Sequence, residues 1–380
     1  MYVAIDDPWD PWTGSGFGPR LANELRARDR LYGATWPGAR SLRELRRPSR
    51  LRPLAKKMRR LLRKSEQRPP MENEREGLVG QVLREMPKGA SVMYHFLKPE
   101  PDLSLPIRRF YFLDITVRDA VRTASYGHEG MSEADIQRES MRHREILEHA
   151  DGVMTFSTYG ADSIASEYGY PREKITAIGS GPVRVMEGEP DLSSQRYEKG
   201  EILFVGRNWQ RKGGPVLLEA FKQVKKAVPH ATLTILGAKI EPPNVPGVNY
   251  VGLASDEEVR RRFATASVFC MPAICETWGI VYGEAAWSGL PIAGFGAWAL
   301  PDIVEHGVSG MLTERRDAEG LAEVLIEMLS DPKRLREMGQ AAVRRGREVL
   351  DWPMVLDRLM WRVWPEVFNG RPPVFMRPGG

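Results

Sequence analysis

The sequence predicts an α/β protein of two Rossmann-like, doubly wound domains facing across a cleft, and three observations predict it. Apolar runs of strand length alternate with stretches of helical periodicity; the alternation breaks once, over residues 182–199; it then restarts in the same β-α-β-α order. With 380 residues and 42% hydrophobic side chains, the chain is long enough to bury two such cores. Ligands of doubly wound sheets bind beyond the carboxyl ends of the strands, so the chemistry is expected where two such edges face each other.

Taken in order, residues 2–5 read as a strand, Gly14-Ser15-Gly16-Phe17-Gly18 as a turn, and residues 20–28 as a helix with Leu21 and Leu25 four apart. Strands follow at 91–96, 110–116, 152–157 and 174–179, with helical patterns at 77–86, 132–149 and 161–168. Residues 182–199 lose the periodicity, with two prolines, several charges and small polar residues, which marks an interdomain connection. Beyond it come strand 201–205, helix 214–227, strand 231–236, helix 256–265 and strand 267–271. The domains are therefore read as 1–185, a linker 186–199, and 200–352, with 353–380 a terminal helix and tail returning to the first domain.

Composition excludes several classes. No run of 18 apolar residues occurs, and Asp6 and Asp7 interrupt the N-terminus before a signal-peptide core could form, so a cytoplasmic protein is expected. Cys270 and Cys275 are not spaced as a redox or zinc pair, and the six histidines form no HExxH or Cys/His ligand set. No metal and no cofactor are expected. The formal charge of +5 is not spread evenly: residues 40–68 hold thirteen Lys or Arg against Glu44 and Glu66.

Two segments carry chemistry. The strand at 202–205 runs into Gly206-Arg207-Asn208-Trp209-Gln210-Arg211-Lys212-Gly213-Gly214 and then a helix, which offers cations, pliable backbone and a helix N-terminus to a diphosphate. Alone, such a loop is as readily an ordinary βα connection with solvated charges. The strand at 267–271 ends in Pro272-Ala273-Ile274-Cys275-Glu276-Thr277-Trp278-Gly279, and free N–H groups near Thr277–Ile280 would make a second anion site at the next helix. Glu276 and Glu284 are candidates to accept hydrogen bonds from sugar hydroxyls; the bland alternative is a capping carboxylate and a solvated one.

Gly206-Arg207 with Lys212-Gly213, and Glu276 separated by seven residues from Glu284, resemble the family four retaining glycosyltransferases (glycosyl transferases group 1), which have the two-domain GT-B fold. The resemblance extends to Gly289-Leu290-Pro291, to Pro301–Gly310 and to Trp352, and more thinly to Ala150-Asp151-Gly152 and Ile178–Gly181. It implies that Arg207 and Lys212 hold the donor diphosphate and that Glu276 stabilises charge developing at the sugar's anomeric carbon. Glu284 would accept from the ribose, and amides near Thr277, Trp278, Gly279 and Ile280 would bind phosphate oxygens. Gly14 and Gly16 would approach the distal phosphate, and the base would lie along Val251-Gly252-Leu253. Asp114 would meet the acceptor, although Leu113 stands where the family carries His before Asp; a strand-end capping Asp is the alternative. Ala273 replaces the usual Ser and Trp278 the usual Phe. With no Asp-x-Asp in the chain, cations are expected to neutralise the diphosphate in place of a metal.

Between residues 51 and 64, Leu54, Met58, Leu61 and Leu62 would share one helical face and Lys56, Lys57, Arg59, Arg60, Arg63 and Lys64 the other. Such a helix packs into a core with a solvated basic face, meets an acidic acceptor, or lies on an anionic membrane, which would make the enzyme peripheral on an inner membrane face. With few aromatics among the cations, nucleic acid is not the expected partner. The expected partners are a nucleotide-sugar donor and a small-molecule, glycan or lipid-linked acceptor. Rival functions are a sugar phosphorylase or nucleotide-sugar epimerase of the same fold, a non-catalytic carbohydrate-binding protein, and a dinucleotide oxidoreductase, which lacks its G-x-G-x-x-G here.

Overall fold

The computed structural model of the protein describes residues 2–3, 17–27, 34–35, 83–84, 86, 88–95, 97, 103–123, 130–184 and 188–375. The chain forms two compact units: Met1–Ile178 with Leu356–Pro373, and Gly179–Val355 with Val374–Gly380. The second dividing point, after Val355, falls inside the helix Trp352–Val363.

In the first unit, β1 (Tyr2–Val3), β2 (Ala34–Thr35), β3 (Ser91–His95), β4 (Arg108–Phe112), β5 (Gly152–Thr155) and β6 (Ile175–Ala177) form one sheet in the order β2-β1-β3-β4-β5-β6. Every pairing is parallel. Parallel sheets are covered on both faces, which is why Val153 and Met154 are adjacent in sequence and both wholly buried. The four-residue spacing of Leu21 and Leu25 does turn one face of α1 (Phe17–Ala27) inward, with both side chains buried. The next helices start at hydroxyl caps: Thr116 for α2 (Val117–Arg122), Ser132 for α3 (Glu133–Glu148) and Ser157 for α4 (Thr158–Tyr168). The Thr116 cap also corrects an expectation. The apolar run 110–116 does not stay in the sheet, because Thr116 turns its hydroxyl to the Asp119 amide and opens α2; β4 ends at Phe112. The order 2-1-3 puts this sheet's switch point between β1 and β3. Gly14 and Gly16, which follow β1 in sequence, and the basic segment 51–64 lie outside the described residues.

The second unit repeats the plan with β7 (Glu201–Val205), β8 (Thr232–Leu236), β9 (Val248–Gly252), β10 (Val268–Cys270), β11 (Ile292–Phe295) and β12 (Gly310–Thr313), in the order β12-β11-β10-β7-β8-β9. All pairings are again parallel. Ile202, Leu203 and Phe204 of the central strand have no exposed surface, and burying each stabilises the sheet by about 1.5–3 kcal/mol. Exposed ion pairs such as Arg315–Glu319 contribute at most about 1 kcal/mol. Apolar burial therefore fixes this sheet.

Residues 186–199, expected as a linker, carry the helix α5 (Ser194–Glu198) with Arg196 and Tyr197 buried. The Arg196 guanidinium donates to the carbonyls of Ala266, Asp191, Ser288 and Phe263, each at 2.7 Å, and the Tyr197 hydroxyl donates to Gly289 O at 2.8 Å. A charged side chain that buries itself by capping carbonyls leaves no apolar periodicity to read.

Candidate active site

Written from its first strand, the second sheet runs 3-2-1-4-5-6, so the strand order reverses between β7 and β10, which pair directly. In such sheets the crevice for a ligand opens beyond the carboxyl ends of the two strands flanking the reversal. The loop leaving β7 is Gly206–Gly213 and the loop leaving β10 is Met271–Gly279. These are the two segments in which the sequence placed the diphosphate chemistry.

The loops are laced together by backbone. Ile274 N–H donates to Arg211 O at 2.9 Å, and the Arg211 guanidinium donates to Cys275 O at 2.8 Å. Gly213 has a φ of 76°, and a Cβ on it would lie 1.8 Å from Pro272 O, so only glycine lets the two backbones approach this closely. Trp209 covers the start of the helix α6 (Gly214–Ala227), its ring meeting Phe204 edge-on at 5.3 Å.

This lacing sets Lys212 against Glu276. The Lys212 ammonium donates to Glu276 Oε2, and Arg211 Nη1 lies 3.3 Å from the same oxygen. The Lys212 and Glu276 side chains are only 14% and 12% exposed, which makes this a partly desolvated pair and not a surface one. Burial alone would raise the carboxyl's pKa; Lys212, Arg211 and a hydrogen bond from the Trp278 amide outweigh it and hold Glu276 below the usual carboxylate range. Gly279, at φ 75°, caps the helix α8 (Ile280–Trp287), and a Cβ there would press on Tyr282 and on Glu276 Cγ at 2.9 Å. Thr277 and Trp278 are buried beside it, and the Tyr282 hydroxyl donates to Met271 O at 2.6 Å, tying α8 back to the strand end.

The other expected residues are distributed as follows. Gly206 donates its N–H to Leu236 O, while Arg207 next to it is exposed. Val251 lies in the edge strand β9, and Leu253 just beyond it is 72% exposed. Gly237 joins that edge to the diphosphate loop: its N–H donates to Gly252 O at 2.6 Å, and a Cβ on it would lie 3.2 Å from the Gly206 carbonyl carbon. Glu284, in the second turn of α8, has no exposed surface, and both its oxygens accept from Arg184. Burial raises its pKa despite that partner. Asp114 belongs to the first unit, buried just beyond β4 beside Leu113, which is itself core. Arg211 and Arg184 were not singled out by spacing; the doubled cation Arg211-Lys212 was the available signal for the first, and none existed for the second. Among the described residues, no three His, Cys, Asp or Glu side chains are grouped as a metal site. No helix of the described residues is long and apolar enough to cross a membrane.

Residues 199–331 match the family model for glycosyl transferases group 1. Similar proteins include the GDP-mannose-dependent monoacylated alpha-(1-6)-phosphatidylinositol monomannoside mannosyltransferase of Corynebacterium glutamicum, 28% identical over 63% of this chain and 68% of the relative. The GDP-mannose-dependent alpha-(1-6)-phosphatidylinositol monomannoside mannosyltransferase of Mycobacterium tuberculosis is 27% identical over 60% of this chain and 64% of its own length. The chain thus spans about two thirds of these relatives, or slightly less. Among solved structures, sucrose-phosphate synthase of Thermosynechococcus elongatus superposes with a TM-score of 0.63 at 16% identity, covering 97% of this chain and 99% of that one. Anabaena Alr3699/HepE in complex with UDP and glucose gives 0.62, also at 16% identity and with the same coverage. Matches at that identity show the fold, which is that of the GT-B glycosyltransferases. Residues 199–331 thus resemble the glycosyl transferases group 1 family, on a fold shared with the GT-B glycosyltransferases.

Proposed function

We propose that the protein moves a mannose-type hexose from a guanosine diphosphate donor to a lipid-linked or glycan acceptor, with retention and without a metal. One observation carries this reading: a largely desolvated Lys212–Glu276 pair on two backbone-laced loops at the switch point of a parallel sheet. Donor binding exchanges its partners. The diphosphate takes Lys212, with Arg207 and the amides of 278–280 at the start of α8, and Glu276 is released toward the sugar. Val251 and Leu253 flank the base, and Glu284 accepts from the ribose.

The C1–O bond to the diphosphate then breaks, and its electron pair leaves with the nucleoside diphosphate. Cations and helix amides stabilise that leaving group, and the Glu276 carboxylate stabilises the oxocarbenium-like carbon. The acceptor oxygen bonds to C1 on the face the diphosphate vacates, and its proton passes to the departing phosphate oxygen. Asp114 orients the acceptor hydroxyl. No cofactor beyond the donor is required, because Lys212, Arg211 and Arg207 supply the positive charge. The names of the corynebacterial and mycobacterial relatives support GDP-mannose and a phosphatidylinositol-type acceptor. The basic segment 51–64 supports peripheral attachment at an anionic cytoplasmic membrane face.

The test is a panel of GDP-, UDP- and ADP-sugars read by thermal shift, since a donor that binds only the folded protein raises its midpoint. Transfer assays with the selected donor follow, with and without EDTA, the product anomer being read by NMR. GDP-mannose should stabilise the protein, activity should survive EDTA, and the configuration should be kept. If no nucleotide sugar shifts the midpoint, the donor assignment falls. An inverted product removes the retaining mechanism.

A further inference from the structure

Glu284 is a carboxylate with no exposed surface, so something must offset the cost of burying its charge. Its partner comes from 100 residues upstream, in the segment that follows β6. Arg184 donates its backbone N–H to Glu284 Oε1 at 2.9 Å and its Nη1 to Oε2 at 2.7 Å, and its Nε donates to Asp256 Oδ1 at 3.0 Å. One guanidinium thus spans two carboxylates, one buried and one on the first turn of the helix α7 (Asp256–Thr265), where the Asp256 side chain is 69% exposed. An ionised carboxylate offers about four acceptor directions, and Arg184 uses two of those on Glu284.

We propose that Arg184 is a positioning residue for the donor: it keeps the buried Glu284 carboxylate charged and fixed in orientation, so that its remaining acceptor directions receive the ribose hydroxyls. The inference rests on the reading of Glu284 as the ribose acceptor. Its physical basis is the position of the guanidinium. Without it, burial is left unopposed in favouring the protonated form, and a neutral acid is a weaker acceptor with one of its oxygens turned into a donor. The backbone N–H of residue 184 remains in place in any substitution, so what the side chain adds is charge and the second anchor. The opposite role, a guanidinium that blocks the carboxylate and must leave before the donor enters, predicts the opposite sign.

The experiment is calorimetric titration of GDP and of 2′,3′-dideoxy-GDP into the wild type, Arg184→Met, Arg184→Lys, Arg184→Gln and Glu284→Gln. The wild type should prefer GDP by about tenfold or more, the equivalent of one or two hydrogen bonds to a charged acceptor. Arg184→Met and Arg184→Gln should bring that preference close to one while binding dideoxy-GDP as the wild type does, which also reports that they fold. Arg184→Lys should keep part of the preference. If Glu284→Gln retains the full preference, the ribose reading of Glu284 is wrong and this inference falls with it. If Glu284→Gln loses the preference but Arg184→Met keeps it, or binds GDP more tightly, the ribose reading stands and the role given to Arg184 is overturned. Should Arg184→Met not fold, the same comparison is read from Arg184→Gln and Arg184→Lys; a full preference in both overturns it.

Discussion

Replacing Glu276 by Gln should move binding and turnover in opposite directions. The Lys212 ammonium is held by a carboxylate only 12% exposed, with Arg211 at 3.3 Å from the same oxygen. A diphosphate that takes Lys212 must first break that charge-assisted bond. Gln keeps the shape and leaves a neutral carbonyl for the ammonium, and the difference between a charged and a neutral partner is about 1–1.5 kcal/mol. Nucleoside diphosphate binding should therefore tighten about 5- to 10-fold. Turnover should fall at least ~100-fold, because the group that meets positive charge at the anomeric carbon is gone. Calorimetric titration of GDP at two salt concentrations measures the first effect, and initial rates with the selected nucleotide sugar the second. Binding that weakens in Glu276→Gln would refute the exchange of partners, since the carboxylate would then be preparing Lys212 for phosphate instead of competing with it. A rate within tenfold of the wild type would refute the catalytic role.

Lys212→Ala should weaken GDP about 10- to 100-fold and leave guanosine unaffected, whereas Arg211→Ala, whose side chain holds Cys275 O, should lower kcat with a smaller change in GDP affinity; equal loss for guanosine would indicate general misfolding. Gly213→Ala should destabilise the second unit by about 3 kcal/mol or more, roughly 6–12 °C in Tm, because its methyl meets Pro272 O at 1.8 Å. Gly307→Ala has a similar φ of 78° with no atom within 4 Å, so it should cost only about 1 kcal/mol; equal Tm losses would mean that backbone strain, and not the close approach, is what Gly213 relieves. His95, buried edge-on against Phe112 and Phe17, has its pKa lowered to about 4 by burial. The unfolded chain takes up this proton near pH 6.5, so the stability tied to neutral His95 is whole above pH 6.5 and is lost as pH falls toward 4, by about 3 kcal/mol. Urea unfolding at pH 7 and pH 4.5 should show His95→Phe losing less stability than the wild type, and an identical loss would mean that His95 titrates normally.

What the sequence made legible followed from how locally each feature is encoded. β7, α6 and α7 were read to the residue because an apolar run, a glycine turn or a hydroxyl cap marks each boundary, as Ser255 does for α7 by accepting from Glu258 N–H. The two-residue strand β2 and the edge strand β9, whose residues are half-exposed, carry no such run and went unread, as did β11 and β12. The helix α5 was hidden because Arg196 earns its burial through carbonyls distant in sequence. The site divides on the same line. Arg207, Lys212, Glu276 and Glu284 sit on loops and a helix start whose spacing is fixed by adjacent strands, so a one-dimensional pattern suffices to find them. Arg184 reaches Glu284 only because the segment after β6 returns to α8, a closure that no spacing records. A ligand-facing carboxylate can thus be found in sequence, while the cation that keeps it charged has to be found in space. At Glu276 that cation happens to be a neighbour of the diphosphate motif; at Glu284 it is not, and there the chain's own chemistry departs furthest from what its motif declares.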